Sequence, residues 1–319
     1  MDIVKRLLEG DKLALARAIT KVENEDATNI LKEIFKHTGS AYYIGITGPP
    51  GTGKSTLVSN IASELVDTHR KVGVIAIDPS SPFSGGALLG DRIRMSKLST
   101  EKDVFIRSMA SRGSMGGLSH TTKDVALLFD AFGMDYIIIE TIGVGQVELD
   151  IAQVCDTTVV VLMPESGDSI QAMKAGLLEI GDIIVINKAD CEGADRMEME
   201  LKFILTLRGM KRAWEYPVVK TIATEGKGVI ELMGLIEVHK EYLKVSSNFE
   251  ISRKQRLKHR VQELIEERIR KYIGHDILTG AKLDEYIEKI YNRELDPFQV
   301  VDEITTYLCL TPLHPKLES

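Results

Sequence analysis

Cysteine is scarce in these 319 residues: Cys155, Cys191 and Cys309 stand far apart, and no CxxC pair occurs. That spacing offers neither a disulfide framework nor a zinc signature, and it suits a reducing compartment. The seven histidines are dispersed, with no metal-trafficking cluster among them. Long apolar runs are missing as well. No stretch of about eighteen apolar residues is present to span a bilayer, and the opening MDIVKRLLEG is amphipathic, without a signal peptide's apolar core. Positive charge is not in excess either. The formal net charge is −7, which argues against sequence-independent binding of nucleic acid. There is no internal repeat and no low-complexity tract. The expectation is a cytoplasmic protein with neither membrane nor nucleic acid among its partners.

What is present is a chain with 44% apolar residues, enough to bury a sizeable core. Its length suits one large domain with extensions, or two domains. Residues 1–40 read as helices: Ile3, Leu7 and Leu8 make one stripe, Leu13, Leu15, Ala18 and Ile19 another, and Asp11 is placed to cap the second. A third helix is expected over Ala27 to His37. From residue 41 to 248 strand and helix alternate. Strands are expected at Tyr42–Thr47, Val72–Ile77, Val104–Ile106, Tyr136–Glu140, Thr157–Met163, Asp182–Asn187 and Val218–Ile222. Continuous apolar runs such as Ile137-Ile138-Ile139 suit a parallel sheet covered on both faces. The predicted class is therefore α/β, a mostly parallel sheet with helices on both faces and helical extensions at each end. Residues 249–319 read as three further helices, over Arg253 to Tyr272, Ala281 to Tyr291 and Pro297 to Leu308. Their apolar stripes call for a cover, either the strand-and-helix domain of the same chain or a second copy of the chain.

The stretch with the most chemistry is Gly48-Pro49-Pro50-Gly51-Thr52-Gly53-Lys54-Ser55, followed by Thr56. It fits the phosphate-loop pattern, and it lies between an apolar strand and a helix with Leu57, Ile61 and Leu65 on one face. The glycines let backbone N–H groups turn inward, and the helix N-terminus adds its positive end. Lys54 is expected to reach the β- and γ-phosphates, and Ser55 to ligate Mg²⁺. Asn187-Lys188-Ala189-Asp190 follows the Ile183–Ile186 run. A carboxylate there accepts from guanine N1–H and its amino group together, a pairing adenine lacks, which makes GTP and GDP the expected nucleotides. After the next strand, Ile222, Ala223 and Thr224 offer backbone N–H groups for guanine O6. Asp78, Asp91 and Glu140 stand at strand ends or in a glycine-rich loop and are candidates for the Mg²⁺ shell. In the loop after Glu140, the Gly143 amide is a candidate γ-phosphate contact, and Gln146 could orient water.

Taken together these residues resemble the methylmalonyl-CoA mutase-associated GTPases, the MeaB/ArgK family. The resemblance is carried by Leu15 through Thr20, GPPGTGKST, Ile77 through Pro82, Gly90 through Met95, Ser111-Arg112-Gly113, Glu140 through Glu148, NKAD and Asp296-Pro297-Phe298. It implies a P-loop fold of the SIMIBI class and a homodimer built from the C-terminal helices. It also implies a partner, an adenosylcobalamin-dependent acyl-CoA mutase, for which the family member gates cofactor delivery as a GTP-using chaperone. By motif, Ser55, Asp78, Asp91 and Glu140 form the metal shell. Asp91 to Met95 is the first switch, Glu140 to Glu148 the second, and Met163 to Lys174 the third. Two alternatives remain: an ATPase or kinase tied to lysine, arginine and ornithine transport, and a metal-insertion GTPase.

Overall fold

The computed structural model describes residues 2–78, 98, 101–110, 120–141, 147–164, 176–207, 214–272 and 281–310. The chain divides into two compact units, Met1–Ser252 and Arg253–Ser319. In the first, seven strands form one sheet: β1 (Tyr42–Thr47), β2 (Val72–Asp78), β3 (Val104–Ala110), β4 (Tyr136–Glu140), β5 (Thr157–Leu162), β6 (Ile183–Ile186) and β7 (Val218–Lys220). Their spatial order is β3-β2-β4-β1-β5-β6-β7, and all six pairings are parallel. The strand order turns at β1, which lies between β4 and β5. In open parallel sheets the ligand crevice forms at such a turn, outside the carboxyl ends of the strands.

Both faces of the sheet are buried, which is why its strands read as unbroken apolar runs rather than alternating ones. On one face Leu57, Val58, Ile61 and Leu65 of α4 (Lys54–Asp67) pack with Ile44, Ile46, Val159 and Val161. Leu232 and Ile236 of α9 (Val229–Val245) complete that layer. On the other face Ile75, Ile77, Ile137 and Ile139 meet α5 (His120–Ala131) through Val125 and Phe129. They also meet the N-terminal helices α1 (Ile3–Leu8), α2 (Lys12–Asn24) and α3 (Thr28–Ile34). A third cluster joins Val160, Leu162, Ile184 and Ile186 to α7 (Leu177–Ile180) and α8 (Ala194–Leu207), and the short α6 (Val147–Asp150) follows β4. Asp11 caps α2 as expected, accepting from Leu13 N and Ala14 N. The link from the arm into β1 is fixed by the buried Asp130 carboxylate, which accepts from the amides of Gly39, Ser40 and Ala41 at 2.7–3.1 Å and from the Tyr43 hydroxyl at 3.0 Å.

The strand ends differ from the expectation in instructive ways. β3 continues to Ala110 instead of stopping at Ile106, because its register with β2 runs on to Asp78↔Ala110. β7 stops at Lys220: Thr221 N still donates to Ile186 O of β6 at 2.9 Å, but Ile222 turns away and pairs with Lys227 in a tight turn. The long helix α10 (Asn248–Tyr272) begins five residues before Arg253, and its first turn stacks Phe249 on Tyr42 with ring centroids 6.3 Å apart. In the second unit α11 (Ala281–Tyr291) and α12 (Pro297–Leu310) follow, joined by a bond of 3.1 Å from the Tyr286 hydroxyl to Glu303.

At the amino edge of the sheet, away from the crevice, His239 of α9 is buried at 2% exposure. Its Nδ1 meets Thr157 Oγ1 at 2.8 Å, and Thr157 Oγ1 meets the Tyr42 hydroxyl at 2.6 Å. Its ring lies against Trp214, with centroids 4.6 Å apart. The Asp156 charge favours a protonated ring, and Asp182 Oδ1 lies 3.7 Å from Nε2. Burial outweighs this pull and lowers the pKa from 6.5 to about 4. The sign follows from proton counts. Between the two values the unfolded chain binds a proton that the folded chain refuses, so stability is full above pH 6.5 and falls on acidification toward pH 4. About 2 kcal/mol should be lost by pH 5. Urea midpoints taken at pH 7 and pH 5 should show that fall, and His239→Gln should flatten it. An equal slope in the variant would mean that other groups carry the dependence.

Candidate nucleotide-binding site

The loop between β1 and α4 curls because three of its residues take backbone angles that side chains resist. Gly48, Gly51 and Gly53 have φ of 139°, 81° and 90°. Two of the three are also crowded: a Cβ on Gly48 would run into the Val161 carbonyl, and one on Gly53 into the Asn187 amide. The Thr52 hydroxyl donates to Pro49 O at 3.0 Å and tightens the turn. Lys54, buried at 6% exposure, folds back over the loop, and its ammonium donates to Gly48 O at 2.8 Å and Pro49 O at 2.9 Å. A positive charge and the N-terminus of α4 therefore converge at the loop, with Ser55 and Thr56 in the helix's first turn. Pro50 and Gly51 form the outer lip of the loop, where Gly51 is exposed.

Beside this cradle the Ser55 hydroxyl donates to Glu140 Oε1 at 2.6 Å. Glu140 ends β4, is 5% exposed, and stands in register with Ile46 of β1 and Ala76 of β2. The next residue, Thr141, is pinned by its amide to Ile46 O at 3.0 Å and by its hydroxyl to Thr47 Oγ1 at 2.9 Å. A hydroxyl and a carboxylate in contact at the edge of a phosphate loop are hard oxygen donors of the kind Mg²⁺ takes, with phosphate oxygens and water filling its remaining positions. Among the described residues no group of three His, Cys, Asp or Glu side chains gathers, so the oxygen pair of Ser55 and Glu140 is the part of a metal shell that can be placed. Asp78 closes β2, but its side chain lies outside the described residues, as do Asp91, Gly143 and Gln146. The segments 91–95, 142–146 and 165–174, and with them most of the three expected switches, also lie outside.

The other half of the site is organised by Asn187, 2% exposed at the end of β6. Its Nδ2 donates to Thr52 O at 2.8 Å, reaching into the phosphate loop. Its Oδ1 accepts from the Thr221 hydroxyl and the Ala223 amide, each at 3.0 Å. Lys188 turns the chain with φ 56°, and Ala189 N donates to Thr221 O at 3.0 Å. Asp190 follows on this turn and is exposed. Ile222 leads into a single turn of 3-10 helix, Ala223–Glu225, in which Thr224 is exposed. Lys227 pairs with Glu225 at 2.6 Å; that bond first, and the Asp190 charge last, raise its pKa. The Asp190 turn and the 222–224 turn thus lie side by side, held by one asparagine that also holds the phosphate loop. Thr221 and Asn60, whose amide reaches Ala223 O, were not among the sequence candidates. Thr221 could have been included as the first residue beyond β7, whereas the partner of Asn60 is visible only in three dimensions.

Four likenesses bear on this geometry. Residues 15–276 match the family described as Methylmalonyl Co-A mutase-associated GTPase MeaB. A protein of Pyrococcus abyssi named as a GTPase is 46% identical over 308 residues, covering 95% of each chain. The Methylmalonic aciduria type A homolog, mitochondrial, of Mus musculus is 31% identical and covers 93% of this chain and 76% of its own. Among solved structures, the crystal structure of LAO/AO transport system kinase aligns with a TM-score of 0.71 at 26% identity, covering 96% of each chain.

An exposed carboxylate beside a turn of backbone amides predicts guanine selectivity. GTP should bind several orders of magnitude more tightly than ATP, and Asp190→Ala should remove most of that gap while leaving the phosphate contacts intact. Competition titrations with both nucleotides on both proteins measure it, and equal affinity in the unmutated protein would refute it.

Proposed function

The chain is a GTPase that belongs to the methylmalonyl-CoA mutase-associated GTPase family MeaB, and from that premise we propose that it gates delivery of adenosylcobalamin to a B12-dependent acyl-CoA mutase and protects that enzyme as a cytoplasmic chaperone. The observation behind the reading is the family match over residues 15–276, joined to a relative whose name refers to methylmalonic aciduria. In this reading Gly48 through Thr56 hold the phosphates, with Lys54 neutralising them. Asn187, Lys188, Asp190, Ile222, Ala223 and Thr224 hold the guanine. Ser55 and Glu140, completed by Asp78 and Asp91, hold Mg²⁺, which supplies charge neutralisation at the transferred phosphoryl group. Gly143 meets the γ-phosphate. The remaining demand of phosphoryl transfer is positioning and electrostatics, which a rigid loop and a buried carboxylate provide.

Such a GTPase is a two-state device: γ-phosphate biases the segments 91–95 and 140–148, and the mutase biases the same segments from outside. A kinase serving lysine, arginine and ornithine transport is the second reading, favoured by the name of the solved relative. It requires ATP, so the nucleotide competition above separates the two. The second unit supports a homodimer. On α10 Leu257, Val261, Leu264, Ile265 and Ile269 are 39–54% exposed along one stripe, and Phe298 and Val301 of α12 are 80% and 59% exposed. A two-fold pairing would cover the same face of each copy.

Three measurements test these proposals. GTP turnover should be slow alone and rise by at least tenfold with the cognate mutase, and GTP should tighten mutase binding by the factor by which the mutase tightens GTP. No effect of any acyl-CoA mutase from the same cell would remove the client. Light scattering should give twice the chain mass, and Val261→Glu with Ile265→Glu should give a monomer that still binds GTP. A dimer that persists in the double variant would place the interface elsewhere.

A further inference from the structure

Ala223 sits where three elements meet. Its methyl is buried in the core cluster that includes Leu57 and Ile61 of α4. Its amide donates to Asn187 Oδ1 at 3.0 Å. Its carbonyl accepts from the Asn60 side chain at 2.5 Å, across 163 residues of sequence, while Gly226 N approaches the same oxygen at 3.4 Å. Asn60 belongs to α4, the helix whose first turn carries Lys54 and Ser55. A carbonyl can only accept, so the Asn60 atom facing it is the amide nitrogen, and this fixes which way round the side chain lies.

The peptide plane makes the contact directional. The Ala223 carbonyl and the Thr224 amide belong to one trans peptide, so they point in opposite directions. Drawing the carbonyl onto α4 turns the Thr224 N–H away from α4. In this turn the amides of Ile222, Ala223 and Glu225 are taken by Lys227 O, Asn187 Oδ1 and Ile222 O. The Thr224 amide has no acceptor among the described residues, and Thr224 is exposed. The neighbouring turn, fastened by Ala189 N to Thr221 O at 3.0 Å, carries Asp190.

We propose that Asn60 is a positioning residue for guanine recognition: its amide holds the Ala223 carbonyl on α4 and so aims the Thr224 N–H at O6 of a guanine whose N1–H and amino group meet Asp190. The proposal rests on the reading of Asp190 given above and adds what orients the second base contact. Adenine carries an amino group where guanine has O6, so it would set a donor against a donor. Because α4 also carries the phosphate loop, one rigid helix sets the distance between the phosphate end and the base end of the site.

Calorimetric titration of the full chain with GDP, IDP and 2-aminopurine riboside diphosphate tests this. GDP and IDP carry O6, and the third nucleotide lacks it. Asn60→Ala, and Asn60→Asp, which keeps the size but replaces the donor with an acceptor, should each weaken GDP and IDP by about tenfold. The 2-aminopurine nucleotide should stay within about twofold, because a contact absent from the unmutated complex cannot be lost. Equal weakening of all three would show general loosening of the fold and overturn the proposal; no weakening of GDP would overturn it too. The Asp190 reading fails separately, through equal GDP and ADP affinities in the unmutated protein.

Discussion

The site depends on the side chain of one buried asparagine. Asn187 donates into the phosphate loop at Thr52 O and accepts from Thr221 and Ala223 in the turn that follows β7. Each of these bonds, on its own, contributes about 1 kcal/mol. Their joint effect is geometric, since a planar amide fixes all three partners relative to one another. It also explains the glycine at position 53, where the Asn187 amide occupies the space a Cβ would need. The phosphate loop and the 221–225 turn are therefore one object, although 135 residues separate Thr52 from Asn187.

That object can exist because of the sheet beneath it. Seven parallel strands deliver their carboxyl ends to one edge, and the order turns at β1. Gly48, Glu140, Asn187 and Thr221 each follow or end a strand and so arrive at the same edge from four different segments. The two buried faces leave the strands little freedom: Ile44 and Ile46 of β1 and Val159 and Val161 of β5 pack under α4 and α9, while Val160 and Leu162 pack on the other side. Slipping a strand by one residue would exchange these faces, so the packing that stabilises the sheet also sets the register of the site.

Much of this is legible in the sequence, for reasons that differ between elements. β1 and β4 can be read to the residue because an apolar run ends abruptly, at Gly48 in one case and past Glu140 in the other. The phosphate loop is legible because glycine, lysine and serine recur at a spacing that few other structures need. β3 is harder: Arg107 and Ser108 look like the end of a strand, yet the ladder with β2 continues through them, and Arg107 is satisfied by an ion pair with Glu23. The start of α10 is hidden for a similar reason, since the Phe249–Tyr42 stacking that accompanies it joins distant parts of the chain. In the site, Lys54, Ser55, Glu140 and Asn187 can be read from local pattern. Asn60 cannot, because nothing near it in sequence announces a carbonyl that arrives from 163 residues away.

The chain contains a single tryptophan, and its location has an optical consequence. Trp214 donates its indole N–H to Asp182 O at 2.9 Å and lies against His239 and Tyr242, at the amino edge of the sheet. Its ultraviolet emission therefore reports on that edge alone, with an imidazole at contact distance as a quencher once protonated. Events at the opposite, nucleotide-facing edge reach this chromophore only if they travel the length of the strands. A shift in emission on adding nucleotide would accordingly measure mechanical transmission through the sheet, whereas a silent chromophore would mark the sheet as a rigid floor on which the loops alone move.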